Sequence, residues 1–144
     1  MDEDAFWKLL DHVDRESLAD DEDAAVEPLI SQLSRLAPAE VASFEEHLTQ
    51  RLYALDGRRY AEQAGKSGDS DDGFLYARCF VVAQGKAHYR RVLANPALMP
   101  KSIDEWCEAL LGVARAACEQ LTGVPGEFDT PVSYETGSNR AQWE

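Results

Sequence analysis

The run Phe74–Ala83 is apolar on nearly every side, and it constrains the fold more than any other part of the sequence. A helix that is hydrophobic all round belongs at the centre of a domain. The polar run Ser70-Asp71-Asp72 stands where such a helix would begin, and Gly85 stands where it would end. We therefore predict a buried central helix, with a buried strand as the alternative that Phe80-Val81-Val82 suggests.

Apolar residues recur at helical spacing in most of the remaining chain. This periodicity predicts a first helix over about residues 4–18, and Ser102-Ile103-Asp104-Glu105 resembles a capping box that opens a last helix ending at Gly123. From Val124 onward Pro, Gly, Asp, Thr and Ser dominate. We predict an all-α fold: one compact domain of five or six helices over residues 1–123, with an extended or loose tail over 124–144.

The charge is negative overall and unevenly distributed. The chain of 144 residues has 14 Lys plus Arg against 27 Asp plus Glu, a formal net charge of −13. This balance disfavours nucleic-acid binding, because neutralising phosphates requires basic residues. Residues 57–101 nevertheless carry 8 bases against 4 acids, so a basic region lies within an acidic protein.

Cysteines and targeting signals indicate a cytoplasmic setting. Cys79, Cys107 and Cys118 lie in apolar stretches without paired spacing, which predicts buried reduced thiols. The acidic start is unlike a signal peptide, and no apolar run is long enough to cross a membrane. No phosphate loop, dinucleotide fingerprint or nucleophile elbow is present, so we expect no cofactor.

Two groups of residues are candidates for a site. Asp69, Asp71 and Asp72 offer carboxylate oxygens that suit Mg²⁺ or Ca²⁺, although helix capping explains the same residues without a metal. Arg78 lies in the apolar helix, where its charge needs a carboxylate from another helix or an anionic ligand. The basic group comprises Lys86, His88, Tyr89, Arg90 and Arg91. It would bind an acidic partner surface or a phosphorylated small molecule, or pack beside the acidic first helices.

Several of these residues resemble a bacterial family known as domain of unknown function 4240. The resemblance spans about residues 5–123 and depends most on the run Ser70 to Phe74 together with Arg78, Gln84-Gly85, Tyr89 and Asn95-Pro96. It implies a helical cytoplasmic domain and favours Asp71, Asp72 and Arg78 as one site. Ser67-Gly68-Asp69 stands where members often have Gly-Gly-Cys, so a role for that thiol does not carry over.

Two functions follow as hypotheses. The first is a non-enzymatic protein-binding or regulatory module that uses the basic region and its acidic flanks. The second is a small enzyme or ligand sensor, in which Asp71 or Asp72 acts as an acid, a base or a metal ligand and Arg78 holds an anion. The sequence leaves open whether the protein is an enzyme.

Overall fold

A computed structural model describes all 144 residues as a single all-α domain without strands. This confirms the predicted fold class, with seven helices in place of the predicted five or six. Short 3₁₀ turns connect several of them. The helices are α1 (Glu3–Leu10), α2 (Glu22–Leu33), α3 (Pro38–Ala54), α4 (Arg58–Ala61), α5 (Asp71–Ala83), α6 (Lys86–Ala94) and α7 (Val113–Thr122).

Helix α5 is the predicted central helix, and it packs against α3 and α6. Its Ser70 hydroxyl accepts a hydrogen bond from the Gly73 amide at 3.0 Å, which caps the first turn. Helices α2 and α3 both contact α7 and close the core on the other side. The three cysteines are buried free thiols, as predicted, and burial raises the pKa of Cys79 and of Cys107.

The first and last helices are shorter than the sequence predicts. Helix α1 ends at Leu10, where the chain turns and the Asp14 amide donates to the carbonyl of Ala25 in α2. Near residue 102, the Ser102 hydroxyl accepts from the Asp104 amide in a local turn, so no helix begins there. The last α-helix begins only at Val113, after a 3₁₀ turn.

The tail, residues 124–144, contains only one 3₁₀ turn at Arg140–Gln142 and crosses the surface of the helical core. It leaves α7 in close contact, since a Cβ atom at Gly126 would lie 2.9 Å from the Cys118 sulfur. Farther along, its polar groups contact the end of α3. None of the helices combines the length and the apolar character that crossing a membrane requires.

Candidate functional site

A cleft of about 680 Å³ lies between α3, α7 and the tail. This volume is in the range of small-molecule sites in proteins. Helix α3 contributes two polar side chains, α7 contributes Arg115, the 3₁₀ turn before α7 contributes Leu111, and tail residues 126–135 form the opposite wall. Because Arg115 and five of the tail residues in the lining are exposed, the cleft opens to solvent.

Glu45 and Thr49 reach this cleft from α3. They are four residues apart and therefore lie one above the other on a single helix face. Both are buried, with 7% and 1% of their surface exposed. The Glu45 Oε2 and Thr49 Oγ1 atoms are enclosed and have no hydrogen-bond partner in the protein. Such unsatisfied buried groups are rare in folded proteins and call for an explanation.

Burial raises the pKa of two acidic groups in this cleft, Glu45 and Tyr134. Desolvation raises the pKa of Glu45 from 4.5 to about 7, because the charged carboxylate loses water and gains no donor. The pKa of Tyr134 is also raised, chiefly by burial and further by the negative charge of Glu45. A carboxyl group in this state exchanges its proton near neutral pH, which is a property typical of functional sites.

A second buried polar cluster, the Asp56 anchor, holds the end of the tail. Asp56 is completely buried just after α3. Its carboxylate accepts hydrogen bonds from the amides of Gly137 and Asn139 at 3.0 and 2.9 Å, and from the indole nitrogen of Trp143 at 2.8 Å. The Trp143 carbonyl in turn accepts two hydrogen bonds from Arg58. The far end of the tail is thus held by the buried Asp56 carboxylate together with Arg58.

Arg78 belongs to the same region as this anchor. Its guanidinium is fully buried, donates to the Leu52 carbonyl and the Thr136 hydroxyl at 2.9 Å each, and lies over the Phe74 ring. It makes no direct ion pair, unlike the expected pairing with a carboxylate of another helix. Burial lowers the pKa of Arg78, and the charge of nearby Asp56 opposes that shift. One helix carbonyl and a tail hydroxyl replace the expected partner.

The predicted aspartates lie apart from the Arg78 guanidinium. Asp69, Asp71 and Asp72 are exposed around the start of α5. The hydrogen-bonded link between Arg78 and these aspartates runs through Thr136, which accepts from Arg78 and whose hydroxyl donates to the backbone carbonyl of Asp71 at 2.7 Å. No group of three or more His, Cys, Asp or Glu side chains is arranged to hold a metal ion.

The predicted basic group lies on α6, away from the cleft. Lys86 contacts Asp4 of α1 at 3.3 Å, and Tyr89 is buried with its hydroxyl on the Arg51 carbonyl. Arg90 and Arg91 are exposed and take part in no ion pair within the chain. Only this pair of arginines therefore remains open to an outside partner.

Sequence reasoning missed Glu45, Thr49 and Asp56. The apolar residues of α3 recur at helical spacing as Val41, Phe44, Leu48, Leu52 and Leu55, and this pattern alone assigns no role to the polar residues beside them. A signal does exist, because Glu45 and Thr49 each follow one of these apolar residues directly and recur with the same spacing of four. The tail wall gives no such signal, since it has no periodic pattern.

Fold and cleft together define a small all-α domain with a candidate ligand site. A family model described as a protein of unknown function (DUF4240) matches residues 1–120, and the chain belongs to that family. Helix α3 therefore lies within the matched part, whereas the tail wall of the cleft lies beyond it. A search of the curated proteins and of the solved structures finds no match.

Proposed function

We propose that the protein is a binding domain for a small polar molecule, which it holds in the cleft between α3, α7 and the tail. The observation that carries this proposal is the pair of unsatisfied groups, Glu45 Oε2 and Thr49 Oγ1, buried beside an open cleft. A buried polar group without a partner costs about 1–3 kcal/mol, so a ligand that pairs with the Glu45 carboxylate from the cleft recovers part of that free energy.

A thermal-shift screen tests this proposal. Polar metabolites are screened against the wild-type chain and against the variants Glu45→Gln and Thr49→Val, which keep the side-chain volume. Glu46→Gln is the matched control, because Glu46 is exposed on the same helix and carries the same charge. We expect at least one compound to raise the Tm of the wild type and of Glu46→Gln, with a smaller rise in the two cleft variants. Equal shifts in all four proteins would contradict the proposal.

A second candidate function is recognition of an acidic protein partner through the exposed arginines of α6. It is supported by the contrast between Lys86, which contacts Asp4, and Arg90 and Arg91, which have no carboxylate partner in the chain. Unpaired surface charges of one sign steer an oppositely charged partner. This candidate uses a different surface from the cleft, so the two can be tested separately.

Affinity capture with a charge-reversed protein tests the second candidate. The variant Arg90→Glu, Arg91→Glu is compared with Lys8→Glu, Arg35→Glu, which reverses two exposed bases elsewhere. A stoichiometric partner that is lost only from the α6 variant supports recognition through α6. Capture that is unchanged in the α6 variant, or equally reduced in both, argues against it.

A further inference from the structure

The polar groups without hydrogen-bond partners in the cleft indicate which hydrogen-bonding groups a ligand should carry. An ionised carboxylate only accepts hydrogen bonds, and a hydroxyl can accept as well as donate. No group of the protein donates to the enclosed Glu45 oxygen or to the Thr49 hydroxyl. A ligand rich in N–H or O–H donors therefore complements the ionised Glu45 carboxylate, whereas a ligand that only accepts hydrogen bonds cannot pair with it.

The rim of the cleft favours a positive charge. Glu127, Asp129 and Glu135 line it against one basic residue, Arg115. None of these four side chains forms an ion pair within the chain. Three carboxylates around a cleft attract cations and raise their local concentration. The donor requirement at the floor and the charge at the rim thus favour the same class of ligand.

An organic cation fits this site better than a metal ion. Ca²⁺ and Mg²⁺ need about six oxygen ligands, several of them from the protein. No group of three or more His, Cys, Asp or Glu side chains is arranged to hold a metal ion anywhere in the chain. An ammonium group needs only up to three acceptors and brings its own donors. The volume of about 680 Å³ also suits an extended organic molecule.

We infer that the cleft binds an aliphatic diamine or a longer polyamine, an inference that rests on the proposed function. One ammonium group pairs with the Glu45 carboxylate through Oε1, the oxygen that is not enclosed, and a second is held by the carboxylates of the rim. The methylene chain between them lies along the apolar part of the lining, which includes Leu111 and Phe128.

Binding of such a cation is coupled to loss of a proton. The titratable and charged groups that face Glu45 from neighbouring elements are Cys79 on α5, Arg115 on α7, and Glu127, Asp129, Tyr134 and Glu135 on the tail. Glu45 has a pKa of about 7 and must be ionised to pair with the ammonium group. We therefore expect the affinity to rise about tenfold between pH 6 and pH 8, as the ionised fraction of Glu45 rises.

Calorimetry with three four-carbon compounds tests the inference on the full chain. Putrescine carries two ammonium groups that stay protonated at both pH values, since such amines titrate near the pKa of lysine. Butanediol is the neutral counterpart and succinate the anionic one. Glu45→Gln removes the floor carboxylate, whereas Glu46→Gln removes one exposed charge from the same helix and corrects for general attraction of cations to an acidic protein.

We expect putrescine to bind the wild type and Glu46→Gln alike, at least tenfold more weakly to Glu45→Gln, and with the pH dependence absent from Glu45→Gln. Equal weakening in the two variants would show general charge attraction and overturn the inference. Preference for butanediol or succinate would overturn the ligand class while leaving the proposed function intact. If none of the three compounds binds, the inference fails, and the metabolite screen decides the proposed function independently.

Discussion

The cleft and the Asp56 anchor each contain a buried carboxylate, Glu45 on α3 and Asp56 just after α3. The two carboxylates differ in their hydrogen bonding. Two backbone amides and an indole N–H donate to Asp56, whereas the enclosed oxygen of Glu45 receives nothing. A satisfied buried carboxylate stabilises the fold, and an unsatisfied one costs free energy. The comparison teaches that burial alone does not distinguish the two acids; the absence of an internal donor makes Glu45, and not Asp56, the candidate for a functional acid.

The tail contributes differently to the two regions. At the anchor, backbone amides of the tail and the Trp143 indole donate hydrogen bonds to the Asp56 carboxylate. At the cleft the segment 126–135 lines the space opposite Glu45 and donates nothing to its enclosed oxygen. One segment thus acts as a structural clamp at its far end and as the wall of an open site in its middle.

Removing the acceptor at the anchor should have the largest effect. In Asp56→Asn the amide group cannot accept the bonds that one carboxylate oxygen accepts, so buried donors lose their partner. We expect a loss of about 3–5 kcal/mol in the free energy of unfolding, measured by urea denaturation. The tail should also become sensitive to protease. Asp69→Asn, at an exposed site, should change stability by less than about 0.5 kcal/mol; similar losses in both variants would contradict the anchor.

The pH dependence of stability should separate the two carboxylates next. Folding raises the pKa of Glu45 from 4.5 to about 7, so the folded state holds a proton that the unfolded state releases. The contribution of Glu45 to the free energy of unfolding is greatest below about pH 4.5, and it is lost as the pH rises to about 7. Relative to Glu45→Gln, we expect the wild type to lose about 3 kcal/mol across that interval.

Urea denaturation at pH 4.5 and pH 8 measures this difference. Glu46→Gln serves as the control and should follow the wild type, because Glu46 is exposed. A difference between wild type and Glu45→Gln that stays constant with pH would show that Glu45 is ordinarily solvated.

Paired hydroxyl deletions should give a smaller contrast. Thr136 bridges Arg78 and the Asp71 carbonyl, whereas the buried Thr49 oxygen has no partner. Thr136→Val should therefore cost about 2 kcal/mol, while Thr49→Val should be neutral or stabilise by up to about 1 kcal/mol. Thermal denaturation of the two variants checks this order, and the reverse order would contradict the difference between the two regions.

The smallest effect is expected at α6. Arg90 and Arg91 are exposed and unpaired, so reversing both charges should change the free energy of unfolding by about 0.5 kcal/mol or less. Urea denaturation measures it. A loss above about 2 kcal/mol would show that these arginines stabilise the fold and would remove the basis for a partner surface there.

Much of the fold could be predicted because buried helix faces require apolar residues at helical spacing, and a fully buried helix requires a continuous apolar run. The all-round apolar run Phe74–Ala83 and its Ser70 cap specify α5 without knowledge of tertiary contacts. The last helix could not be predicted correctly, because Ser102 satisfies its neighbours within a local turn that competes with the helix start. Such competition depends on packing that a single sequence does not reveal.

The candidate site was less predictable than the fold. Arg78 was recognisable as an unusual charge in an apolar helix, but its partners are a helix carbonyl and Thr136, which lies 58 residues farther along the chain. Glu45 and Asp56 acquire their opposite roles only where the tail meets α3. Which of the two carboxylates receives donors depends on the three-dimensional arrangement of the tail, since neither residue stands out in its own segment.

The most direct test is an NMR titration of the Glu45 carboxyl, using side-chain carbon labelling with Glu45→Gln for assignment. We expect a midpoint near pH 7 in the free protein, because the group is buried without a donor. We also expect the midpoint to fall when putrescine is added. A midpoint near 4.5 in the free protein would mean that Glu45 is hydrated or hydrogen-bonded in solution, and would contradict the account.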